Sequence, residues 1–217
     1  MIKLYELMSE IKNIIFDLGV VILNLNYQAT TYAFEKLGVQ NFENLYNQKK
    51  QTELFNNFEK GLISTEKFIS NLQKTTALNK KQIINAWNAM LLDLPKERLE
   101  FIQSLKSNYN TFLLSNTNEI HIDFFENQLS KKNHLSLFKS CFDKIYYSCR
   151  MKDRKPNVSC FKKVISENNL AHKETLFIDD SIQHINTAKK MEINTYLMEQ
   201  NKSIIDLFPD IIQQAHH

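Results

Sequence analysis

Short apolar runs, each bounded by polar or turn-forming residues, constrain the fold of this 217-residue chain more than any other feature. Such runs are typical of buried strands. They cover residues 13–16, 111–114, 144–147, 176–178 and 194–198. Amphipathic helical patterns at residues 158–165 and 182–191 separate the later runs. Strands that alternate with helices from about residue 100 onward predict an α/β fold with a parallel, doubly wound sheet.

The segment from residue 27 to residue 93 differs, because it contains helical patterns and no convincing strand. We therefore predict a core formed by residues 1–26 and 94–217, with residues 27–93 inserted as an all-helical lobe. An insert at this point lies over the strand ends, where open parallel sheets bind ligands. Its large aromatic residues occur at helical spacing, which favours packing over substrate binding; they are Phe55, Phe58, Phe68 and Trp87. The break at Glu59–Lys60–Gly61 is a candidate for a loop that faces the ligand crevice.

Composition limits the classes of function. Apolar residues make up 43% of the chain and charged residues 24%, as in folded globular proteins. The N-terminal segment has no long apolar run, so we expect neither a signal peptide nor a membrane span, and a cytoplasmic location. The net charge of +3 comes from scattered lysines without a basic stripe, which argues against nucleic acid and favours a small anionic substrate. A monomer or a homodimer is compatible with this pattern.

The three cysteines, Cys141, Cys149 and Cys160, are odd in number and lack CxxC spacing. This pattern argues against a disulfide framework and against a zinc site. We expect reduced, structural thiols. The C-terminal "AHH" resembles the remnant of an expression tag and is left out of the functional argument.

Polar residues stand where the predicted strands end. Asp17 follows the first strand, Ser115 and Asn116 follow the second, Asp179 and Asp180 follow the run at 176–178, and Lys155 precedes a helix. Each one alone has an ordinary explanation as a turn former, a helix cap or a surface residue. Because the carboxyl ends of parallel strands meet at one crevice, their joint occurrence predicts a single site.

The residue types in this set point to phosphoryl transfer. Clustered carboxylates repel one another unless a cation neutralises them, and Mg²⁺ prefers such oxygen ligands. Asp17 can attack phosphorus as a carboxylate nucleophile and form an aspartyl phosphate, which water then hydrolyses. We expect Asp17 and Asp180 to bind the metal and Asp179 to support it. The predicted phosphate-binding residues, which would also offset transition-state charge, are Ser115, Asn116 and Lys155.

These motifs resemble those of the haloacid dehalogenase (HAD) superfamily of hydrolases. In chain order they are "IIFDLGVV", "FLLSNTN", "RKP" and "LFIDDSIQHINTAKKMEI". The resemblance runs from about residue 12 to the last strand, and it implies a Rossmann-like core with an inserted helical cap of the C1 type. It also implies a Mg²⁺-dependent phosphatase that acts on a small phosphorylated metabolite. "FDLG", "LSNTN" and "RKP" are most similar to the branch with the bacterial glucose-1-phosphate phosphatases and the N-terminal phosphatase domain of soluble epoxide hydrolase.

The chain departs from this resemblance at Gly19, where most phosphatases of the superfamily have a second Asp as general acid and base. The Gly19 carbonyl can still bind Mg²⁺, but the proton-transfer role is vacant. A placed acid contributes about 10²–10⁴-fold to the rate, and its loss matters least for an acyl, aryl or anomeric phosphate. We therefore expect a preference for activated phosphates such as a hexose 1-phosphate.

Three more residues near the motifs have two interpretations each. His121 and His184 follow the second and fourth motifs and could replace the missing acid, although a packing or helix-start role is preferred. Lys152 stands where the family commonly has Gly, and it is either a surface lysine or a source of positive charge near the mouth of the site.

Three alternative functions stay open. A catalytically silent HAD-like protein that binds a phosphorylated ligand or partner is supported by Gly19. A 2-haloacid dehalogenase would share the fold and the nucleophile, but that subgroup resembles "DxYGT" after the first strand, which Gly19 does not match. A phosphate-accepting receiver domain places its acid pair before the phosphorylated Asp and has no helical insert.

Overall fold

The structure is a computed structural model that describes residues 10–44, 46, 52–199 and 202–207. Its sheet has five strands in the order β3-β2-β1-β4-β5, and every neighbouring pair is parallel. The strands are β1 (Asn13–Phe16), β2 (Asn110–Ser115), β3 (Lys144–Tyr147), β4 (Thr175–Asp179) and β5 (Asn194–Leu197). The predicted parallel α/β fold is therefore confirmed.

Helices surround this sheet and form the inserted segment. Within the inserted segment they are α1 (Tyr27–Lys36), α2 (Glu53–Glu59), α3 (Thr65–Thr76) and α4 (Lys80–Asn88). In the rest of the described chain they are α5 (Lys96–Leu105), α6 (Glu119–Lys131), α7 (Leu135–Ser140), α8 (Ser148–Met151), α9 (Val158–Glu167) and α10 (Ile182–Lys190). Short 3₁₀ turns cover Phe42–Asn44, His172–Glu174 and Ile204–Leu207. No helix in the described part of the chain is long and apolar enough to cross a membrane.

The central strand β1 shows why these apolar runs form a sheet. All four of its residues are buried, because the sheet is covered on both faces. Side chains alternate between the faces along a strand, so that Ile14 and Phe16 pack in one hydrophobic cluster and Ile15 packs in another. A continuous apolar run is the pattern that such a strand requires.

Strand register brings the predicted site residues to one level. Phe16 pairs with Leu113 of β2 and with Ile178 of β4. Asp17, the next residue, donates its backbone N–H to the Ile178 carbonyl at 2.9 Å. The carboxyl ends of β1, β2 and β4 therefore open into the same crevice.

A third hydrophobic cluster, distinct from the two beside the sheet, is formed mainly by helices α1 to α4, and Met90 and Ile120 join it. Phe34 stacks on Phe42 with ring centroids 3.9 Å apart, and Phe58 stacks on Phe68 at 4.0 Å. Trp87 is fully buried among these rings. The aromatic residues of this segment thus pack against one another, as their helical spacing favours.

Two short extended segments join the helical lobe to the sheet. Leu25 forms an antiparallel bridge with Leu91. Beside it, Asn24 exchanges backbone hydrogen bonds with Asp93 and Leu92 at 2.9 and 3.0 Å. We propose this paired segment as the junction between core and lobe, in line with the boundaries predicted at residues 26/27 and 93/94.

Candidate active site

The centre of the site is a buried lysine held between two carboxylates. Lys155 Nζ lies 2.7 Å from Asp17 Oδ1 and 2.6 Å from Asp179 Oδ2. The Lys155 side chain is fully buried, and both aspartates are almost inaccessible to solvent. Charges can be buried in this way only when they are paired and hydrogen-bonded. The structure therefore brings together three residues that lie far apart in the sequence, as predicted.

Burial and pairing act on these three groups in opposite directions. Burial raises the pKa of Asp17, and the charge of Asp179 adds to this effect while Lys155 opposes it. Burial also disfavours ionisation of Asp179, but the charge of Lys155 and the hydrogen bond with His184 outweigh it and lower the pKa of Asp179. Burial likewise disfavours protonation of Lys155, but the two carboxylates raise the pKa of Lys155. Lys155 therefore remains a cation at the floor of the site.

Asp180 adds a third carboxylate to a group in which Lys155 already balances only one of two negative charges. Burial, followed by the charges of Asp17 and Asp179, raises the pKa of Asp180 to about 7. The three residues form a carboxylate cluster, in which one oxygen of each lies within 4.8 Å of the others. A divalent cation would relieve the repulsion within this oxygen-only set, and such ligands suit Mg²⁺.

Gly19 lies beside the carboxylate cluster, in the bend after β1. Its carbonyl accepts a hydrogen bond from Val21 N–H at 2.7 Å, and the second lone pair of this oxygen is available to a metal. A Cβ atom built on Gly19 would lie 2.7 Å from Leu25 Cδ1, which is closer than Cβ atoms normally approach. Leu25 thus fills the space that a side chain at position 19 would need.

Ser115 is the last residue of β2 and Asn116 follows it, and both line the cleft beside Lys155. The Asn116 side chain is bound to the Lys155 backbone in both directions. Asn116 Nδ2 donates to the Lys155 carbonyl at 2.9 Å, and Lys155 N–H donates to Asn116 Oδ1 at 2.9 Å. The Asn116 carboxamide therefore positions the backbone of Lys155.

The two histidines occupy different surroundings. His121 is buried and stacks on Trp87, and its ring nitrogens lie 3.1 Å from the Trp87 carbonyl and 3.2 Å from Asn118 Nδ2. Burial lowers the pKa of His121 to about 4, so the ring is neutral and has a packing role. His184 Nδ1 lies 2.9 and 3.0 Å from the two Asp179 oxygens. It therefore belongs to the immediate surroundings of the carboxylate cluster, which the helix-start interpretation did not anticipate.

Contacts between the helical lobe and the sheet were not predicted in detail. Ser148 Oγ lies 2.7 Å from the Glu59 carbonyl oxygen and accepts a hydrogen bond from Thr117 N–H at 2.9 Å. Arg154 Nη1 pairs with Glu59 Oε2 at 3.0 Å, and the Glu59 side chain is largely buried. Glu59 thus links the lobe to the residue that precedes Lys155. The sequence signal that could have indicated this contact was Glu59 itself, an acidic residue beside the apolar Phe58 in a helical pattern.

Lys152 lies at the edge of the same contact. Its backbone has φ of +61°, in the left-handed region that favours Gly. Its side chain is exposed and donates from Nζ to the Gly61 carbonyl of the lobe. Lys152 is thus a surface lysine that also contacts the loop after Glu59.

A cleft of about 680 Å³ lies between the lobe and the strand ends. The floor of the cleft is formed by Asp17, Asp180 and Lys155. The residues that line it from the lobe are Tyr27, Glu53, Asn56, Glu59 and Lys60. Sites for small molecules commonly have this size. The break predicted at Glu59–Lys60–Gly61 therefore contributes residues that face the crevice.

Comparisons with known proteins agree with this geometry. The D-ribitol-5-phosphate phosphatase of Bacteroides thetaiotaomicron is 29% identical over 191 residues, which span 87% of this chain and 92% of that protein. A HAD-family enzyme from Bacteroides thetaiotaomicron, solved in complex with magnesium and inorganic phosphate, is 33% identical with a TM-score of 0.83. The match covers 91% of this chain and 98% of that one.

A solved dehalogenase shows a likeness of fold alone, with 16% identity, a TM-score of 0.57 and coverage of 89% and 87% of the two chains. Residues 14–198 match the family of haloacid dehalogenase-like hydrolases. This match spans most of the chain and includes every predicted site residue, which confirms the resemblance found in the motifs. The chain belongs to the haloacid dehalogenase-like hydrolase family and is a hydrolase.

Proposed function

We propose that this protein is a Mg²⁺-dependent phosphatase that hydrolyses a small phosphorylated metabolite through an aspartyl-phosphate intermediate. The observation that carries the proposal is the pairing of Asp17 with a buried cation, Lys155, beside two further carboxylates at the floor of one cleft. This arrangement provides a carboxylate nucleophile, positive charge for phosphoryl oxygens and oxygen ligands for a metal. Two relatives support the proposal: one is named as a phosphatase, and the other was solved in complex with magnesium and inorganic phosphate.

The residues at the floor of the cleft divide the proposed reaction between them. An Asp17 oxygen attacks phosphorus, and the bond from phosphorus to the ester oxygen breaks as the aspartyl phosphate forms. Lys155 Nζ, Ser115 Oγ and the Asn116 backbone N–H bind phosphoryl oxygens and offset the charge that develops there. Water then hydrolyses the aspartyl phosphate and releases inorganic phosphate.

Metal binding would fall to the carboxylate cluster and the Gly19 carbonyl. Asp17 and Asp180 would be direct ligands, whereas Asp179, already bound by Lys155 and His184, would support them. When bound, Mg²⁺ neutralises charge on the phosphoryl group and on the acids around it.

Two substrate classes fit this site, and each has its own support. The absence of an acid at Gly19 favours an anomeric phosphate such as a hexose 1-phosphate, whose leaving group needs little protonation. The relative named for D-ribitol 5-phosphate favours the terminal phosphate of a polyol. Polar residues of the lobe in the cleft, among them Asn56 and Lys60, suit the hydroxyl groups of either class.

Asp17→Asn provides the test of phosphatase function. We expect the native protein to hydrolyse p-nitrophenyl phosphate with added Mg²⁺, Asp17→Asn to lose this turnover, and the exposed Asp123→Asn on α6 to retain it. Native protein without Asp17-dependent turnover on any phosphate would instead support the alternative of a catalytically silent protein that binds a phosphorylated ligand. The ratio of kcat/KM for glucose 1-phosphate to that for ribitol 5-phosphate then decides between the substrate classes.

A dehalogenase activity has weaker support. The likeness to the solved dehalogenase is one of fold, and the position two residues after Asp17 carries no side chain. Halide release from a 2-haloacid, measured in parallel, should therefore be absent.

A further inference from the structure

The space beside Gly19 contains a tyrosine hydroxyl. A Cβ built on Gly19 would lie 4.0 Å from Tyr27 Oη and 2.7 Å from Leu25 Cδ1. Tyr27 lines the cleft together with Asp17 and Asp180. A hydroxyl group from the helical lobe thus reaches the region that a longer side chain at position 19 would enter.

The position of Tyr27 is set by the junction between lobe and core. Tyr27 is the first residue of α1, and Asn26 is the N-cap of this helix, with its side chain accepting a hydrogen bond from Gln28 N–H. Asn26 N–H also donates to the Met90 carbonyl at 2.9 Å. These hydrogen bonds fix the backbone next to Tyr27, and the backbone in turn limits the positions that the Tyr27 ring can adopt.

The electrostatic surroundings keep this hydroxyl protonated. Burial raises the pKa of Tyr27 well above its ordinary value. Smaller contributions in the same direction come from Tyr46, Asp180 and Asp17. Within the described part of the chain, no residue accepts a hydrogen bond from Tyr27 Oη. The Tyr27 side chain is half-buried and lines the cleft, so this neutral phenol has its proton available to a ligand.

We infer that Tyr27 Oη–H donates a hydrogen bond to the ester oxygen of the substrate that leaves phosphorus. This inference rests on the proposed phosphatase function. As the bond between an Asp17 oxygen and phosphorus forms, the bond to the ester oxygen breaks and its electron pair stays on that oxygen. The hydrogen bond stabilises this charge, and the departing oxygen takes its proton from water while Tyr27 remains a phenol.

This role differs from that of a general acid. Transfer of the phenol proton would create a tyrosinate beside Asp17 and Asp180, which their negative charges oppose. Hydrogen-bond donation needs no such charge. A single donor aimed at developing negative charge contributes about 10²–10³-fold to turnover, and the benefit grows with the basicity of the leaving oxygen. Tyr27 would thus make the phosphate of an unactivated alcohol a competent substrate despite Gly19.

Leaving-group dependence separates this role from a structural one. We compare native protein, Tyr27→Phe and the control Tyr32→Phe, which removes a hydroxyl from the 66% exposed tyrosine on the same helix. The substrates are p-nitrophenyl phosphate, with an acidic leaving group, and ribitol 5-phosphate, with an alkoxide leaving group. Tyr27→Phe should lower kcat/KM about 10²-fold for the alkyl phosphate and leave the aryl phosphate nearly unchanged, and Tyr32→Phe should change neither.

Several outcomes would overturn the inference. The first is an equal loss of kcat/KM for both substrates in Tyr27→Phe. The second is no loss of kcat/KM for the alkyl phosphate in Tyr27→Phe, and the third is the same selective loss in Tyr32→Phe. Retained turnover of p-nitrophenyl phosphate shows that the variant is folded. If the native protein lacks Asp17-dependent turnover on every phosphate, the proposed function fails and the inference fails with it. If the native protein is active but Tyr27→Phe shows no selective loss on the alkyl phosphate, only the inference is refuted.

Discussion

Lys155→Met tests whether the buried lysine stabilises the site as the structure indicates. The substitution keeps a side chain of similar length in a fully buried position, so little cavity is created. It removes the only cation seen within 2.7 Å of both Asp17 and Asp179 among the described residues. Asp17 is then left without an ion-pair partner, and Asp179 keeps only His184 and the Ser181 N–H. We therefore expect the free energy of unfolding to fall.

The magnitude follows from two limits. Removing one partner of a buried ion pair costs about 3–5 kcal/mol. The protein can limit this loss by protonating a carboxylate, which costs about 1.4 kcal/mol for each pH unit above the ordinary pKa of 3.8. Neutralising one group therefore costs about 2 kcal/mol at pH 5 and about 6 kcal/mol at pH 8. We expect a loss of about 3–5 kcal/mol at pH 8 and a smaller one, about 2 kcal/mol, at pH 5, where Asp17 takes up a proton and Asp179 keeps its contact with His184.

The sign of the pH dependence follows from Asp179. In the native protein its pKa is lowered by Lys155 and His184, so its contribution to stability is present above the unfolded pKa and is lost as the pH falls. Without Lys155 the folded carboxylates hold their protons to higher pH than the unfolded chain does. The stability of Lys155→Met should therefore fall as the pH rises, and the difference from the native protein should widen.

Urea unfolding of metal-free protein, followed by far-UV circular dichroism at pH 5 and pH 8, measures these values. Fluorescence is a poorer probe, because the single tryptophan, Trp87, reports on the helical lobe. Lys163→Met is the matched control, since Lys163 is 42% exposed and lies 4.0 Å from Glu167, and it should cost less than about 0.5 kcal/mol. A loss below about 1 kcal/mol for Lys155→Met at pH 8, or an equal loss at both pH values, would refute the reasoning.

Two further predictions concern the metal and the contact between lobe and core. Because the pKa of Asp180 is raised to about 7, protons compete with Mg²⁺ below that pH, and the rise in Tm on adding Mg²⁺ should be larger at pH 8 than at pH 6. Asp180→Asn should remove this difference, and equal shifts in the native protein would contradict the assignment. A Cβ on Gly61 would overlap the Cys149 carbonyl oxygen, whereas one on Gly38 meets nothing within 4 Å, although both glycines have positive φ. Gly38→Ala should therefore cost about 1 kcal/mol and Gly61→Ala clearly more in urea unfolding, and equal costs would show that the contact is not tight.

The strands were predictable because their apolar pattern is set by burial on both faces of a parallel sheet. The predicted bounds at residues 13–16 and 144–147 match β1 and β3. The predictions for β2 and β4 were short by one residue at each end, because Asn110, Ser115, Thr175 and Asp179 join the strand ladder with polar side chains. Backbone pairing continues past the apolar run, and only the side-chain pattern was visible in the sequence.

The carboxylate cluster and Lys155 were also predictable, because parallel strands that share a register must bring the residues after them together. The hydrogen-bond partner of each side chain was not predictable. The Asn116 carboxamide binds the backbone of Lys155, and His184, for which a packing or helix-start role was preferred, binds Asp179. Hydrogen bonds of this kind depend on rotamers and distances that a sequence pattern does not contain.

By itself, then, the sequence determined the parallel core, the helical insert and the edge of the sheet that holds the acids. These features repeat along the chain with the period of a strand or a helix, and burial enforces that period residue by residue. Only the tertiary structure decided that Ser148 and Arg154 bind Glu59 of the lobe, and that Tyr27 lies beside Gly19. These are single contacts between segments, and they follow from how the lobe is placed over the sheet rather than from any local pattern.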